Sequence, residues 1–154
     1  MQWQGEIPRA WAELAAMGEA ASPAIPTLIG ILNESGQPEI AREAARQALE
    51  SMGAKAVPAL IAMLGEENDH LPDNYAIYTL AQIGAPSVPS LIDALDEGDE
   101  LVQMAACVAL GKLGSSAKAA LPALKSLTGM LSFAPGSVKE IARAAVEAIE
   151  AETG

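Results

Sequence analysis

Apolar residues recur along this chain at helical intervals, and two short phrases mark where each helical stretch ends and the next begins. Over residues 38–52, Ile40, Ala41, Ala44, Ala45, Ala48, Leu49 and Met52 are spaced for one broad helical face. The first phrase closes each longer stretch: an aliphatic residue, two others, a second aliphatic, then glycine. It reads Leu14…Met17-Gly18, Leu49…Met52-Gly53, Leu80…Ile83-Gly84 and Leu110…Leu113-Gly114, while Val146…Ile149-Glu150 is a copy without its glycine. Successive glycines lie 35, 31 and 30 residues apart, and Glu150 follows 36 residues after the last. One structural unit therefore repeats, with links of unequal length.

The second phrase opens each shorter stretch: Pro26-Thr-Leu-Ile-Gly-Ile-Leu32, Pro58-Ala-Leu-Ile-Ala-Met-Leu64, Pro89-Ser-Leu-Ile-Asp-Ala-Leu95 and Pro122-Ala-Leu-Lys-Ser-Leu127. Proline suits the first helical turn, where its missing N–H is not needed and its φ is already helical. The glycine before it suits the left-handed conformation that closes a helix. Proline follows glycine by five residues in the second and third links and by eight in the first and fourth, so the latter two carry three extra residues. Longer helices are predicted over 8–17, 38–52, 73–83, 99–113 and 137–151, and shorter ones over 26–33, 58–64, 89–96 and 122–131. The wide apolar arc of 38–52 fits a helix that touches its pair-mate and both neighbouring units.

Composition sharpens this picture. Of the 154 residues, 51% are apolar but only 3% aromatic, so small and aliphatic side chains must fill the core. Alanine permits close helix approach and has the best helix propensity, and β-branched residues are too scattered for strands. The net charge of −11 leaves no basic stripe for nucleic acid and would be repelled by an anionic membrane surface. Protein partners, basic or neutral, are expected instead. The single cysteine excludes an intrachain disulfide and a thiolate metal cluster. The first residues, Met1-Gln2-Trp3-Gln4-Gly5-Glu6, lack the basic and apolar regions of a secretory signal, and a cytoplasmic location is expected.

These units resemble HEAT repeats, in particular the short bacterial type seen in phycobilisome-lyase-like HEAT proteins. The resemblance rests on Pro-x-Leu-x-x-x-Leu in the first helix and an Ala-rich second helix ending in Leu-Gly. Its best copy runs Val102-Gln103-Met104-Ala105-Ala106-Cys107-Val108-Ala109-Leu110-Gly111-Lys112-Leu113-Gly114. It implies an all-α, right-handed solenoid of helix pairs: a lone N-terminal helix and about four pairs in a single domain over 1–154. The units fall at about 1–18, 19–53, 54–84, 85–114 and 115–154. The chain departs from the family at two positions. The family's arginine early in the second helix is here Arg42, Asp73, Gln103 and Lys139. The aspartate six residues earlier is Gly36, Glu67, Glu97 and Phe133. An Asp–Arg ladder is thus largely missing, and packing is expected to carry more of the stability.

The resemblance also implies that the second helices line a concave face. Counted back from the glycine position, one column holds Trp11, Arg46, Ile77, Cys107 and Arg143 at seven residues, and the next holds Ala12, Gln47, Tyr78, Val108 and Ala144 at six. Met104 lies in the column at ten. An apolar middle made of Ile77, Tyr78, Met104, Cys107 and Val108, with Arg46 and Arg143 at its rim and Trp11 at one end, has the make-up of a protein-binding surface. The same residues would instead be packing between repeats if the array curves tightly. Trp3 and Trp11 equally suit a lid over the first unit.

Chemical motifs are sparse. His70, in Glu66-Glu67-Asn68-Asp69-His70-Leu71-Pro72-Asp73, reads as part of a solvated acidic turn, since the spacing matches no cation loop. Cys107, among alanine and valine, reads as a small hydrophobe. The functional expectation is a non-catalytic scaffold that holds a protein or peptide, without cofactor or metal, as a monomer or weak end-to-end dimer. The alternative implied by the resemblance is a phycobilin lyase-like enzyme or subunit, although no dense aromatic or basic lining for a tetrapyrrole is apparent. Lesion recognition on DNA, known for other HEAT-like proteins, conflicts with the negative charge.

Overall fold

The computed structural model describes residues 23–34, 36–64, 75–97, 99–129 and 136–153. The lone helix expected over 8–17, with Trp3 and Trp11, lies outside the described residues, as does His70. The described elements are all helical: α1 (Ile25–Asn33), α2 (Glu39–Met52), α3 (Val57–Leu64), α4 (Tyr75–Ile83), α5 (Val88–Glu97), α6 (Glu100–Leu113), α7 (Leu121–Thr128) and α8 (Gly136–Thr153). Each odd-numbered helix packs on the even-numbered helix that follows it. The odd helices stack on one another as one layer and the even helices as a second. Contacts between successive even helices are more extensive than those between successive odd ones.

Repeated sequence becomes repeated burial. The leucine two residues after each proline, Leu28, Leu60, Leu91 and Leu124, is wholly buried in every copy. So are Leu49, Leu80 and Leu110 in the even helices. Alanines fill two further columns: Ala45, Ala76, Ala106 and Ala142 in one, and Ala48, Ala109 and Ala145 in the other, all buried. Thr79 takes the α4 place in the second column, its hydroxyl donating to the Tyr75 carbonyl one turn back at 2.6 Å. Small residues here let adjacent even helices approach. A Cβ on Gly111 would come within 3.3 Å of the Ala145 Cα.

Helix starts and stops follow the sequence closely, with small differences of physical interest. Each short helix begins one residue before its proline, at Ile25, Val57, Val88 and Leu121. Proline at the second position is equally tolerated, because none of the first four N–H groups has an intrahelical acceptor. Asp99 caps the start of α6, its side chain accepting from the Val102 N–H at 3.0 Å. α7 stops at Thr128, short of the expected residue 131, because Gly129 turns extended (φ −66°, ψ 156°).

The closing glycines do have positive φ, but not the left-handed helical conformation expected for them. Gly53 (58°, −128°), Gly84 (86°, −142°) and Gly114 (58°, −130°) adopt angles like those at the first central position of a type II′ turn. This conformation lets the chain leave each helix directly into a short 3-10 segment: Gly53–Lys55, Ala85–Ser87 and Gly114–Ala120. The three extra residues of the last link lengthen that segment. The Ser87 hydroxyl, buried, donates to the Leu80 carbonyl at 2.9 Å and so satisfies a group near the α4 terminus.

The position vacated by the family arginine is not idle. Arg42 Nη2 donates to the Glu34 carbonyl at 3.1 Å, and Gln103 Nε2 donates to the Leu95 carbonyl at 2.9 Å. Both reach back eight residues and tie the start of an even helix to the end of its own pair-mate. Ties between repeats come from elsewhere. Tyr75 Oη donates to Glu39 at 2.6 Å, and Ser137 Oγ donates to Glu100 at 2.5 Å, joining the starts of α2 to α4 and α6 to α8. Hydroxyl–carboxylate rungs thus join repeats where a ladder was expected to be missing.

Candidate functional site

The outward surface of the even helices repeats the same positions from unit to unit. Its outward line runs through exposed Gln47, Tyr78 and Ala144 and half-buried Val108, with exposed Gln82 and Lys112 beside it. The expected binding column therefore divides. Ile77 and Cys107 are wholly buried and cannot meet a partner as folded. They lie about 100° round their helices from the outward line and pack between repeats, so for these two the packing alternative holds. Tyr78 is exposed, and Met104 and Val108 are half-buried. Arg46 is half-buried on α2, Arg143 is exposed on α8, and Trp11 lies outside the described residues.

Two grooves cross this surface. The first, of about 290 Å³ between α2 and α4, is lined by Glu43, Arg46, Tyr75, Tyr78 and Gln82. Its charges are held by α2 itself, since Arg46 bridges Glu43 and Glu50, three residues before and four after it. The Arg46 hydrogen bond holds the Glu43 carboxyl below the usual range, and the same bond raises the guanidinium further. The guanidinium of Arg42 lies 5.8 Å from the centre of the Tyr75 ring. Burial and the bond to Glu39 raise the Tyr75 phenol.

The second groove, of about 250 Å³ between α6 and α8, is lined by Cys107, Val108, Gly111, Lys112, Ile141, Ala144 and Ala145. Burial pushes the Cys107 thiol up to about 12, so it is a protonated, unreactive floor at neutral pH. Lys112 stands between the two grooves, its Nζ 4.6 Å from the centre of the Tyr78 ring. Cation and ring come from successive repeats, a contact favourable by about 0.5–1 kcal/mol at an exposed site.

Chain-wide charge is a poor guide to this surface. The even helices carry eight acidic and five basic residues, so most of the net −11 lies on the odd helices, the links and the segment before α1. Column counting left out Tyr75, Gln82, Lys112 and Ile141, which line the two grooves. Their signal lay in the adjoining columns, because an even helix shows an arc rather than a line. Among the described residues, no group of three His, Cys, Asp or Glu is placed to hold a metal ion. No described helix is long and apolar enough to cross a membrane.

Comparison with known families gives one finding. A family model of HEAT repeats matches residues 73–150, just over half of the chain. A search of curated proteins finds none that matches it.

Proposed function

The chain belongs to the HEAT-repeat family, and from that premise we propose that it is a non-catalytic scaffold that grips a segment of a partner protein on its even-helix surface. HEAT repeats generally mediate protein–protein interaction. The observation that carries the reading here is the exposed ring of Tyr78 beside half-buried Met104 and Val108, between the charged surfaces of α2 and α8. Tyrosine is over-represented among residues that dominate binding energy, and an apolar centre with a polar rim is the usual anatomy of an interface. The closer contact among even helices supports reading their layer as the inner side of the curve.

Neither groove favours the bilin alternative. At about 290 and 250 Å³ they sit at the lower edge of the roughly 300–1,000 Å³ of sites that enclose a small molecule, and both are open to solvent. Because the even helices carry eight acidic and five basic residues, a small share of the chain's net −11, a strongly basic partner is not required by the surface that would bind it.

The test is comparative affinity purification from the native host with wild-type chain and Tyr78→Glu. Tyr78 is 40% exposed, so the variant keeps its fold, which a thermal melt checks. Proteins enriched by wild type and lost with the variant are the expected result. Equal enrichment by both chains, or none above background, sinks the proposal.

A further inference from the structure

The two grooves differ in the state of their charges. Glu43 and Arg46, the charges lining the α2–α4 groove, are paired with each other. Lys112 is the one charged residue lining the α6–α8 groove. Its contact is the Tyr78 ring, and among the described residues no carboxylate pairs with it. The rest of that lining is apolar or small. Gly111 and Ala144 keep both walls low, so a backbone can come close. On the α8 side, Glu140 and Glu147 flank Ala144 one turn before and after it, both exposed, and with exposed Arg143 between them that flank stays net negative.

Size and shape restrict the occupant. A furrow of about 250 Å³ between two packed helices suits a few aliphatic side chains better than a free small molecule. A segment laid along such a furrow is read by apolar anchors at i, i+3 or i+4, and i+7, as an amphipathic helix supplies them. Its flanks would meet Lys112 on one side and the two glutamates on the other.

We propose that the α6–α8 groove seats an amphipathic helix of a partner protein, with an acidic residue on the flank facing Lys112 and a basic residue on the flank facing Glu140 and Glu147. This rests on the even-helix surface being the binding face. The apolar seam supplies area, while the opposed flank charges set which way the helix lies. A carboxylate arriving at Lys112 meets an exposed cation already held against the Tyr78 ring, so the charge contact serves orientation more than affinity.

Two labelled synthetic peptides of about five helical turns test this by fluorescence anisotropy. They share a Leu/Ala seam; one carries Glu on one flank and Lys on the other, and its control carries Lys on both. Wild-type chain is expected to bind the mixed peptide roughly tenfold more tightly than the control. Lys112→Glu should reverse that preference, and Ala144→Phe, at an exposed position, should weaken both peptides by filling the groove. Equal binding of the two peptides, no response to Lys112→Glu, or no binding of the mixed peptide up to millimolar concentration overturns the proposal. If the peptides fail while Tyr78→Glu still loses native proteins, the even-helix surface remains the binding face and only this seat is wrong.

Discussion

The outer surface of α2 and that of α4 and α6 occupy equivalent places in the array, yet they treat their polar groups differently. Around Gln47, α2 settles its charges within one helix: Arg46 sits between Glu43 and Glu50, and Gln47 donates to Glu43 at 3.1 Å. Such a surface is content in water. α4 and α6 place Tyr78, Met104 and Val108 at the matching positions, and the one cation there, Lys112, leans on a ring from the preceding repeat. That surface has apolar area left over and a charge without a counter-ion among the described residues. A shared repeat thus fixes the backbone while individual outward positions decide which turns of the array are inert.

The sharpest way to break this comparison is to ask whether the centre is solid beneath its surface. Cys107 lies under the α6–α8 groove, wholly buried, with its thiol pushed up to about 12. At pH 8 the thiolate fraction should leave alkylation more than about a thousandfold slower than for a free cysteine. Iodoacetamide labelling read by mass, with and without urea, measures this. Fast labelling under native conditions would mean that the groove opens to its floor.

A second measurement sets core against surface within one pair of helices. Leu110→Ala removes a wholly buried side chain of α6 and is expected to cost about 2–5 kcal/mol in urea unfolding. Tyr78→Ala, at an exposed position on α4, should cost less than about 1 kcal/mol while abolishing partner capture. Were the two costs alike, Tyr78 would be a packing residue and the contrast with α2 would dissolve. Between these effects lies Gly84→Ala. A Cβ there meets nothing within 4 Å, so its cost comes only from the backbone angles, about 1–3 kcal/mol.

How much of this was legible follows from what each feature depends on. Buried columns and helix ends depend on local spacing, so the leucines after each proline and the closing glycines could be read directly. The sense of the glycine turn was less accessible, because ψ is set by the 3-10 segment that follows. Which outward residues reach solvent depends on the packing angle between even helices. A rotation of one residue separates exposed Tyr78 from buried Ile77, and exposed-side Val108 from buried Cys107. Counting columns picked out the even helices but could not separate their exposed residues from their buried ones. The rungs from Tyr75 to Glu39 and from Ser137 to Glu100 join residues 36 and 37 positions apart, so no local pattern announces them.

The smallest effect bears on α2, where the comparison claims that charges are already satisfied. Glu43 titrates below its ordinary value because Arg46 hydrogen-bonds its carboxylate. A carboxyl group whose folded pKa is depressed contributes stability above its unfolded pKa and loses it as pH falls through the folded value. Glu43→Gln should therefore destabilise the chain at pH 7, and the gap to wild type should close as pH falls below about 4.5, the group's ordinary value. Because the pair is partly exposed, the gap at pH 7 should be only about 0.3–0.5 kcal/mol, and salt should reduce it. Partner capture at neutral pH should not change. If Glu43→Gln instead weakened capture as Tyr78→Glu does, the α2 surface would belong to the binding site, and the boundary drawn between the two regions would move one repeat toward the N-terminus.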